Sequence, residues 1–354
     1  MSGRLEQLLG IRHPIMLGAF GGLSSVELTA AVSEAGGLGQ YGLYGYSADR
    51  IHETAAALRA ATDAPFGLNL WLPTGDEVTP DGTDTSAVTA PLSPLYAELG
   101  IDAPAAPERF LPPVKEQLAA VLDARPAVLS VVYGVPDAAT VAAAHECGIR
   151  VIGTATTVAE ARALDAGGVD AIIASGAEAA GHRVSFLRPA EHSLVGTLAL
   201  VPQVVDAVEV PVIAAGGIAD RRGVAAARAL GADGVLVGTA FLATRQSAAT
   251  SAHRRAIASA TDDGTVLTRA MSGRLSRGIQ NRAVRTIEAD GRIAPFPAQN
   301  WATGAFRAEA GRRGEGELLS LWVGQGAPLV RHADADATDV FAELVAGLGG
   351  CTTG

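Results

Sequence analysis

Eight times between His13 and Thr239 the chain repeats one unit: a short apolar run, a loop of small residues and an alanine-rich amphipathic stretch. The runs are "HPIML", "GLGQY", "FGLNL", "VLSVVY", "VIGT", "AIIAS", "VPVIAAGG" and "GVLVGT". Helices are predicted from the capping serines Ser24 and Ser25, then over 48–61, 114–124, 138–147, 158–166, 196–207 and 221–230. Strands that alternate with helices imply a parallel sheet covered on both faces. Eight such units fit closure into an α/β (β/α)8 TIM barrel, whose functional groups gather at the C-terminal strand ends. An open doubly wound sheet is disfavoured, because no Gly-x-Gly-x-x-Gly fingerprint follows the first strand.

Two stretches break the rhythm. Residues 71–113 are rich in proline, threonine and aspartate and read as a long excursion with one short helix near Leu95. Beyond Ala248 the pattern gives way to helices and loops. The expected organisation is a barrel over 1–247, carrying the inserted segment at 71–113, and a cap over 248–354 packed on the barrel mouth.

A net charge of −10 argues against nucleic acid or an anionic membrane as partner. No uninterrupted run of 18 apolar residues occurs, and "MSGRLEQLLGIRHP" lacks a signal-like core, so a cytoplasmic protein, monomer or homodimer, is expected. The only cysteines, Cys147 and Cys351, make no metal-ligand pattern; Cys147 reads as a small buried residue, and no metal is expected.

The loops after the last two strands hold the chemistry most legible from residue type. In "AAGGIADRRG", Ala215, Gly216 and Gly217 let the backbone approach an anion, and Asp220 can cap the next helix so that its first N–H groups face the same spot. Gly238 and Thr239 offer a second close approach and a hydroxyl. Together they predict a phosphate cradle. No lysine stands in these loops, which suits a monophosphate such as FMN better than a triphosphate. The remaining strand ends, Gly18, Ala19 and Phe20, then Asn69, Ser130, and Ser175 with Gly176, are almost uncharged. They suit the flat ring of a flavin.

Among seven histidines, His182 in "ASGAEAAGHRVSF" alone follows a barrel strand at the functional end. His13 stands at a strand entrance, His52, His145 and His253 in predicted helices, and His192 and His332 in loops. An imidazole near its ordinary pKa accepts a proton at neutral pH, so His182 is a candidate base. Glu178 either orients that ring or holds the loop through backbone N–H groups, the second being favoured. Arg183 reads as a loop anchor or a solvent-facing charge.

"HPIMLGAFGGLSS", "PFGLNLWLP", "GTATTVAEARALDAGGVDAIIASGAEAAGHR", "VPVIAAGGIADRRGVAAARALGADGVLVGTAFLAT" and "LWVGQGAPLV" resemble the nitronate monooxygenase (2-nitropropane dioxygenase) family of FMN-dependent TIM barrels. The resemblance runs from about Gly10 to His332. It implies an oxidoreductase that uses FMN and O2 to convert alkyl nitronates, or nitroalkanes, to a carbonyl compound and nitrite. His182 would be the catalytic base. Asn69 would contact the flavin, Gly217 and the run Leu236, Val237, Gly238 and Thr239 would hold its phosphate, and Gln325 with Gly326 would pack over it. The small residues of the histidine loop, Gly181 among them, would let backbone and flavin approach closely. Four departures from the family pattern stand out: the stretch Leu17 to Phe20 replaces Gln-Ala-Pro-Met, Ser175 a glutamine, and Ala180 and Val184 each a glycine. Flavin enoyl reductases share the scaffold, so an NAD(P)H-dependent enoyl reductase and a non-catalytic flavin-binding protein are the alternatives.

Overall fold

A computed structural model of the chain describes residues 3–331 and 333–349. Eight parallel strands form one sheet: β1 Ile15–Leu17, β2 Gly39–Gly42, β3 Phe66–Trp71, β4 Val128–Val132, β5 Arg150–Ala155, β6 Ala171–Ser175, β8 Val212–Ala215 and β9 Gly234–Val237. The pairing β1-β9-β8-β6-β5-β4-β3-β2 closes on itself where Leu17 N–H donates to Leu38 O and Leu38 N–H to Ile15 O, making a barrel. The eight predicted runs all lie on these strands. Helices Ala48–Ala61, Val114–Ala124 and Val158–Ala166 take the predicted limits, and Ser25, Ser47, Asp137 and Thr157 cap theirs with side-chain oxygens.

The two-residue period of the strands sorts the core. Met16, Val128, Ile152, Ile173 and Ile213 fill the barrel interior, above Leu5 and Leu9 of a short helix, Arg4–Leu9, that plugs the bottom. Their strand neighbours Leu17, Leu129, Val151, Ile172 and Val212 face outward under the helices.

Three parts differ from expectation. Helix Ala337–Val345 does not join the cap but packs on the barrel wall, with Phe341 beside Phe241 and the ring of His13. It covers the gap left because the helix after β9, Thr239–Leu242, is a single turn. The tail also contains strands, β10 Thr265–Thr268 and β11 Ser276–Ile279, antiparallel to each other. They join β7, Gly181–His182, in a second sheet with Ser276 opposite His182. Four-residue runs such as "SRGI" carry too little periodicity to be read as strands; the pairing partner makes them so. Finally, Cys147 is half-buried at a helix end rather than enclosed. Cys351 and His332 lie outside the described residues.

The excursion holds two short helices, Thr85–Thr89 and Ser93–Glu98, the second at the predicted place. Leu92, Leu95, Tyr96 and Leu99 pack with Met271, Val284 and Phe306 of the tail in a core separate from the barrel's, and Tyr96 donates to Ala302 O at 2.9 Å. Among the described residues no helix is long and apolar enough to cross a membrane.

Candidate active site

A cavity of about 430 Å3 opens at the C-terminal ends of the strands, between the barrel and the excursion-and-tail cluster. Its floor is built from strand ends. Asn69 and Ser130 are opposite in the β3–β4 register, and Asn69 Nδ2 donates to Ser130 Oγ at 3.0 Å. Gly18 packs so closely on Gly238 that a Cβ there would stand 3.1 Å from the Gly238 Cα. Gln40, fully buried, donates Nε2 to Leu17 O at 2.9 Å, while its Oε1 has no partner. A buried carbonyl without a donor carries a desolvation cost that a ligand N–H would remove.

One side of the floor is backbone. Gly216 and Gly217 have φ of 106° and 73°, conformations open to glycine. The N–H groups of Gly217, Ile218, Gly238 and Thr239 find no acceptor among the described residues, so two loops present converging free donors. Asp220 caps the next helix as expected, but the capped N–H groups are not left free for the cradle. Its carboxylate accepts from Arg222 N–H at 2.9 Å and Gly223 N–H at 3.3 Å, so helix Arg221–Ala229 spends its first donors on its own cap. The tail turn seals this side: Gly324 N–H donates to Thr239 Oγ1 at 3.1 Å and Gln325 N–H to Glu178 O at 3.0 Å.

Most predicted positions line the cavity: Gly18, Ala19, Phe20, Asn69, Ser130, Ser175, Gly181, Ala215, Gly216, Gly217, Gly238, Thr239 and Gly326, together with His182. Three do not. Val237 points outward into the barrel core, because alternation along β9 turns Leu236 inward. Gly176 is wedged in the loop, where a Cβ would meet Thr197 Oγ1. The Gln325 side chain faces solvent and only its backbone takes part.

The opposite wall is aromatic. Trp71 and His182 meet edge to face with 4.9 Å between ring centres, Trp322 lies 5.4 Å from His182, and Tyr44 and Phe296 flank Trp71. His253, buried in the helix Ser251–Ala258, fixes Trp322 by a 3.1 Å contact between Nε2 and its carbonyl. His182 is anchored by Nε2 to Ser272 Oγ at 2.8 Å. Ser272 Oγ also accepts from Arg274 N–H and can donate to Arg274 O at 3.2 Å. In that arrangement Nε2 carries the ring proton, leaving the Nδ1 lone pair without a protein partner and turned to the cavity.

An ordinary histidine pKa does not survive this setting. Burial, then the charges of Arg274 and Arg307, push His182 down to about 3, so the ring is neutral at pH 7 and a weak base. Glu178 takes the loop-holding role, accepting from Thr197 N–H at 2.9 Å and Thr197 Oγ1 at 2.9 Å. Arg183 is a buried anchor, donating to Gly176 O at 2.6 Å and Ser175 O at 3.0 Å. Arg274, stacked over Tyr133 and Phe296, pairs with Asp76 and Glu77 of the excursion at 2.7 Å each.

Sequence reasoning missed Gln40, Tyr44, Trp71, Phe296, Asn300, Arg307 and Trp322, all of which line the cavity. Those from the tail carry no local signal, since only the folding of residues 296–322 over the mouth brings them there. Trp71, directly after the predicted third strand, was within reach of the rule that strand ends carry function.

The comparisons agree with this architecture. A family model described as nitronate monooxygenase matches residues 2–347. A probable nitronate monooxygenase of Staphylococcus saprophyticus is 37% identical over 338 residues, 95% of either chain. One from Staphylococcus aureus is 38% identical over 324 residues, 91% of either chain. Among solved structures, nitroalkane oxidase from Streptomyces ansochromogenes superposes with a TM-score of 0.86 at 34% identity, covering 98% of this chain and 97% of that one. FabK from Thermotoga maritima gives a TM-score of 0.77 at 29% identity, covering 98% and 96%. The barrel is that of an oxidoreductase, and the chain belongs to the nitronate monooxygenase family.

Proposed function

We propose that this protein binds FMN and oxidises preformed alkyl nitronates with O2, giving a carbonyl compound and nitrite. The observation that carries the reading is the cavity's division into a backbone-donor cradle and a wall bearing a neutral, clamped His182. The free N–H groups of Gly217, Ile218, Gly238 and Thr239 suit a phosphate monoester without a lysine. Gly18, Ala19, Asn69, Ser130, Ser175 and Ala215 give a flat, nearly uncharged bed for the flavin ring, and Gln40 Oε1 awaits a donor such as the ring's imide N–H. Bound there, the flavin supplies the electron acceptor and the reaction with O2.

The chain's own residues position the substrate and exclude water. Trp71, Tyr44, Phe296 and Trp322 enclose the reacting space, and Ser272 holds His182 so that Nδ1 faces it. So weak a base removes an α-proton from a neutral nitroalkane only uphill, whereas a nitronate needs no proton removal. Preformed nitronates are therefore the favoured substrates. The test is to confirm a flavin spectrum in the purified protein, then mix it without O2 with propionate 3-nitronate or with NAD(P)H. Fast bleaching by the nitronate and none by the nicotinamide is expected. The reverse result overturns the reading in favour of an enoyl reductase.

A further inference from the structure

Arg307 is the only lysine or arginine among the described residues that line the cavity, and no carboxylate pairs with it there. It lies two turns along helix Ala298–Arg313 from Asn300, so both reach the same face. Nη1 donates to Ser320 Oγ at 3.1 Å, and Nη2 to Asn300 O at 3.0 Å and Asn300 Oδ1 at 2.8 Å. Nε is buried with no partner at all. Burial lowers the group to about 10, which leaves it charged at neutral pH. Proteins rarely enclose a cation without a counter-charge, and Arg274 nearby shows the usual solution, with two carboxylates on it.

Asn300 also donates Nδ2 to Tyr44 Oη at 3.0 Å, and the Tyr44 hydroxyl hydrogen has no acceptor among the described residues. Burial holds that phenol up at about 12, so it stays a donor. One asparagine thus braces a guanidinium and a phenol that both line the cavity and both keep unspent N–H or O–H groups.

We infer that Arg307 and Tyr44, braced by Asn300, form a subsite for a planar two-oxygen anion on the substrate, either the nitronate group or a separate carboxylate. With both Nη2 hydrogens on Asn300, the remaining Nη1 hydrogen and the Tyr44 hydroxyl offer one donor to each oxygen under the guanidinium charge, and the two candidate groups share the same shape and charge. An anion seated there offsets part of the field that weakens His182, so the substrate's own charge strengthens the base beside it. That last consequence, and the nitronate source, rest on the function proposed above; the anion subsite does not.

The experiment has two arms. In the first, calorimetry on the flavin-loaded protein compares butyrate with its neutral isostere butyramide. Butyrate should bind at least about tenfold tighter, a preference that Arg307→Met abolishes and Arg307→Lys partly keeps. Thermal melts of both variants show whether they fold, and the lysine variant carries the test if the methionine one does not. A purely structural Arg307 would leave the preference unchanged. Equal binding of the two ligands by the parent protein, or a preference that survives in Arg307→Met, overturns the inference.

The second arm measures kcat/KM for propionate 3-nitronate and propyl-1-nitronate. A loss of roughly 30-fold or more on both substrates in Arg307→Met places the nitronate group on the subsite. A loss confined to propionate 3-nitronate places the distant carboxylate there. No loss on either means that no substrate anion uses the subsite, and overturns it. Failure of the parent protein to turn over any nitronate, with the butyrate preference intact, counts against the proposed function and leaves the anion subsite standing.

Discussion

The two sides of the cavity solve opposite problems. The cradle at Gly216–Gly217 and Gly238–Thr239 attracts an anion with backbone dipoles alone and carries no cationic side chain. The facing wall uses large rings, Tyr44 and Trp71 from the barrel and Phe296 and Trp322 from the tail, together with the tail guanidinium of Arg307, which has no carboxylate partner. Fixed backbone donors suit a permanent ligand held once, in one geometry. A side-chain cation in an aromatic setting discriminates among transient ligands by charge, because each binding event settles the cost of its isolation.

The sharpest way to break this contrast is to strike the cradle. In Gly216→Val a Cβ would stand 2.9 Å from Thr197 Oγ1 and 3.1 Å from Ala179 N, at a φ of 106°. With strain of about 1–3 kcal/mol concentrated in the loop, flavin content of the purified protein should fall at least about tenfold while the chain still folds. Absorbance at the flavin maximum per mole of protein measures it, and full flavin content would show that the cradle is not the phosphate site.

On the other wall, His182→Asn should retain flavin but lose about 100-fold or more on neutral nitroalkanes, against roughly tenfold on preformed nitronates. Steady-state rates on the two substrate forms separate the cases, and equal activity of variant and parent on both removes His182 from the mechanism. Ser272→Ala, which frees Nε2 of His182, should cost only several-fold on nitroalkanes and less on nitronates.

The half-buried, desolvated His182 also predicts how stability depends on pH. Its folded pKa, about 3, lies below the ordinary value of 6.5, so the unfolded chain takes up the proton first as pH falls. Stability on this account is complete above about pH 6.5 and declines by roughly 1.4 kcal/mol per pH unit from there toward pH 3. His253, pushed down to about 4 by burial, adds the same sign over a narrower window. Urea melts between pH 7 and 5 should show a shallower decline for His182→Gln than for the parent, and parallel slopes would contradict the burial. Smallest of all, Tyr96→Phe removes the 2.9 Å bond to Ala302 O and should lower Tm by about 2 °C, with the flavin spectrum untouched.

The legible and illegible parts of the molecule divide along the same line as the cavity. Strand ends with glycines or small polar residues are legible because a barrel of known rhythm fixes where each strand stops, and that rhythm alone brings Asn69, Ser130, Gly217 and Gly238 to one end of the barrel. For Glu178 the loop-holding role is the favoured reading of the sequence. Arg183 stays open there between a loop anchor and a solvent-facing charge, and its burial against Gly176 O and Ser175 O decides for the anchor. Val237 was misplaced toward the ligand because a run of four matching residues hides the alternation that buries every second one. The natural pKa expected for His182 failed for a different reason. Its depression comes from Trp71, Trp322, Arg274 and Arg307, and three of these arrive from the tail.

By itself, then, the sequence determined the barrel, the order of its eight strands and the presence of one histidine among glycine loops at its mouth. Those properties follow from local periodicity and from turn residues whose meaning does not depend on distant neighbours. Tertiary structure alone decided what the histidine experiences: a strand partner in Ser276, an anchor in Ser272, two tryptophans and an unpaired arginine. Desolvation and charge act through space over a few ångströms, and the residues that supply them here come from about 90 to 140 positions away along the chain.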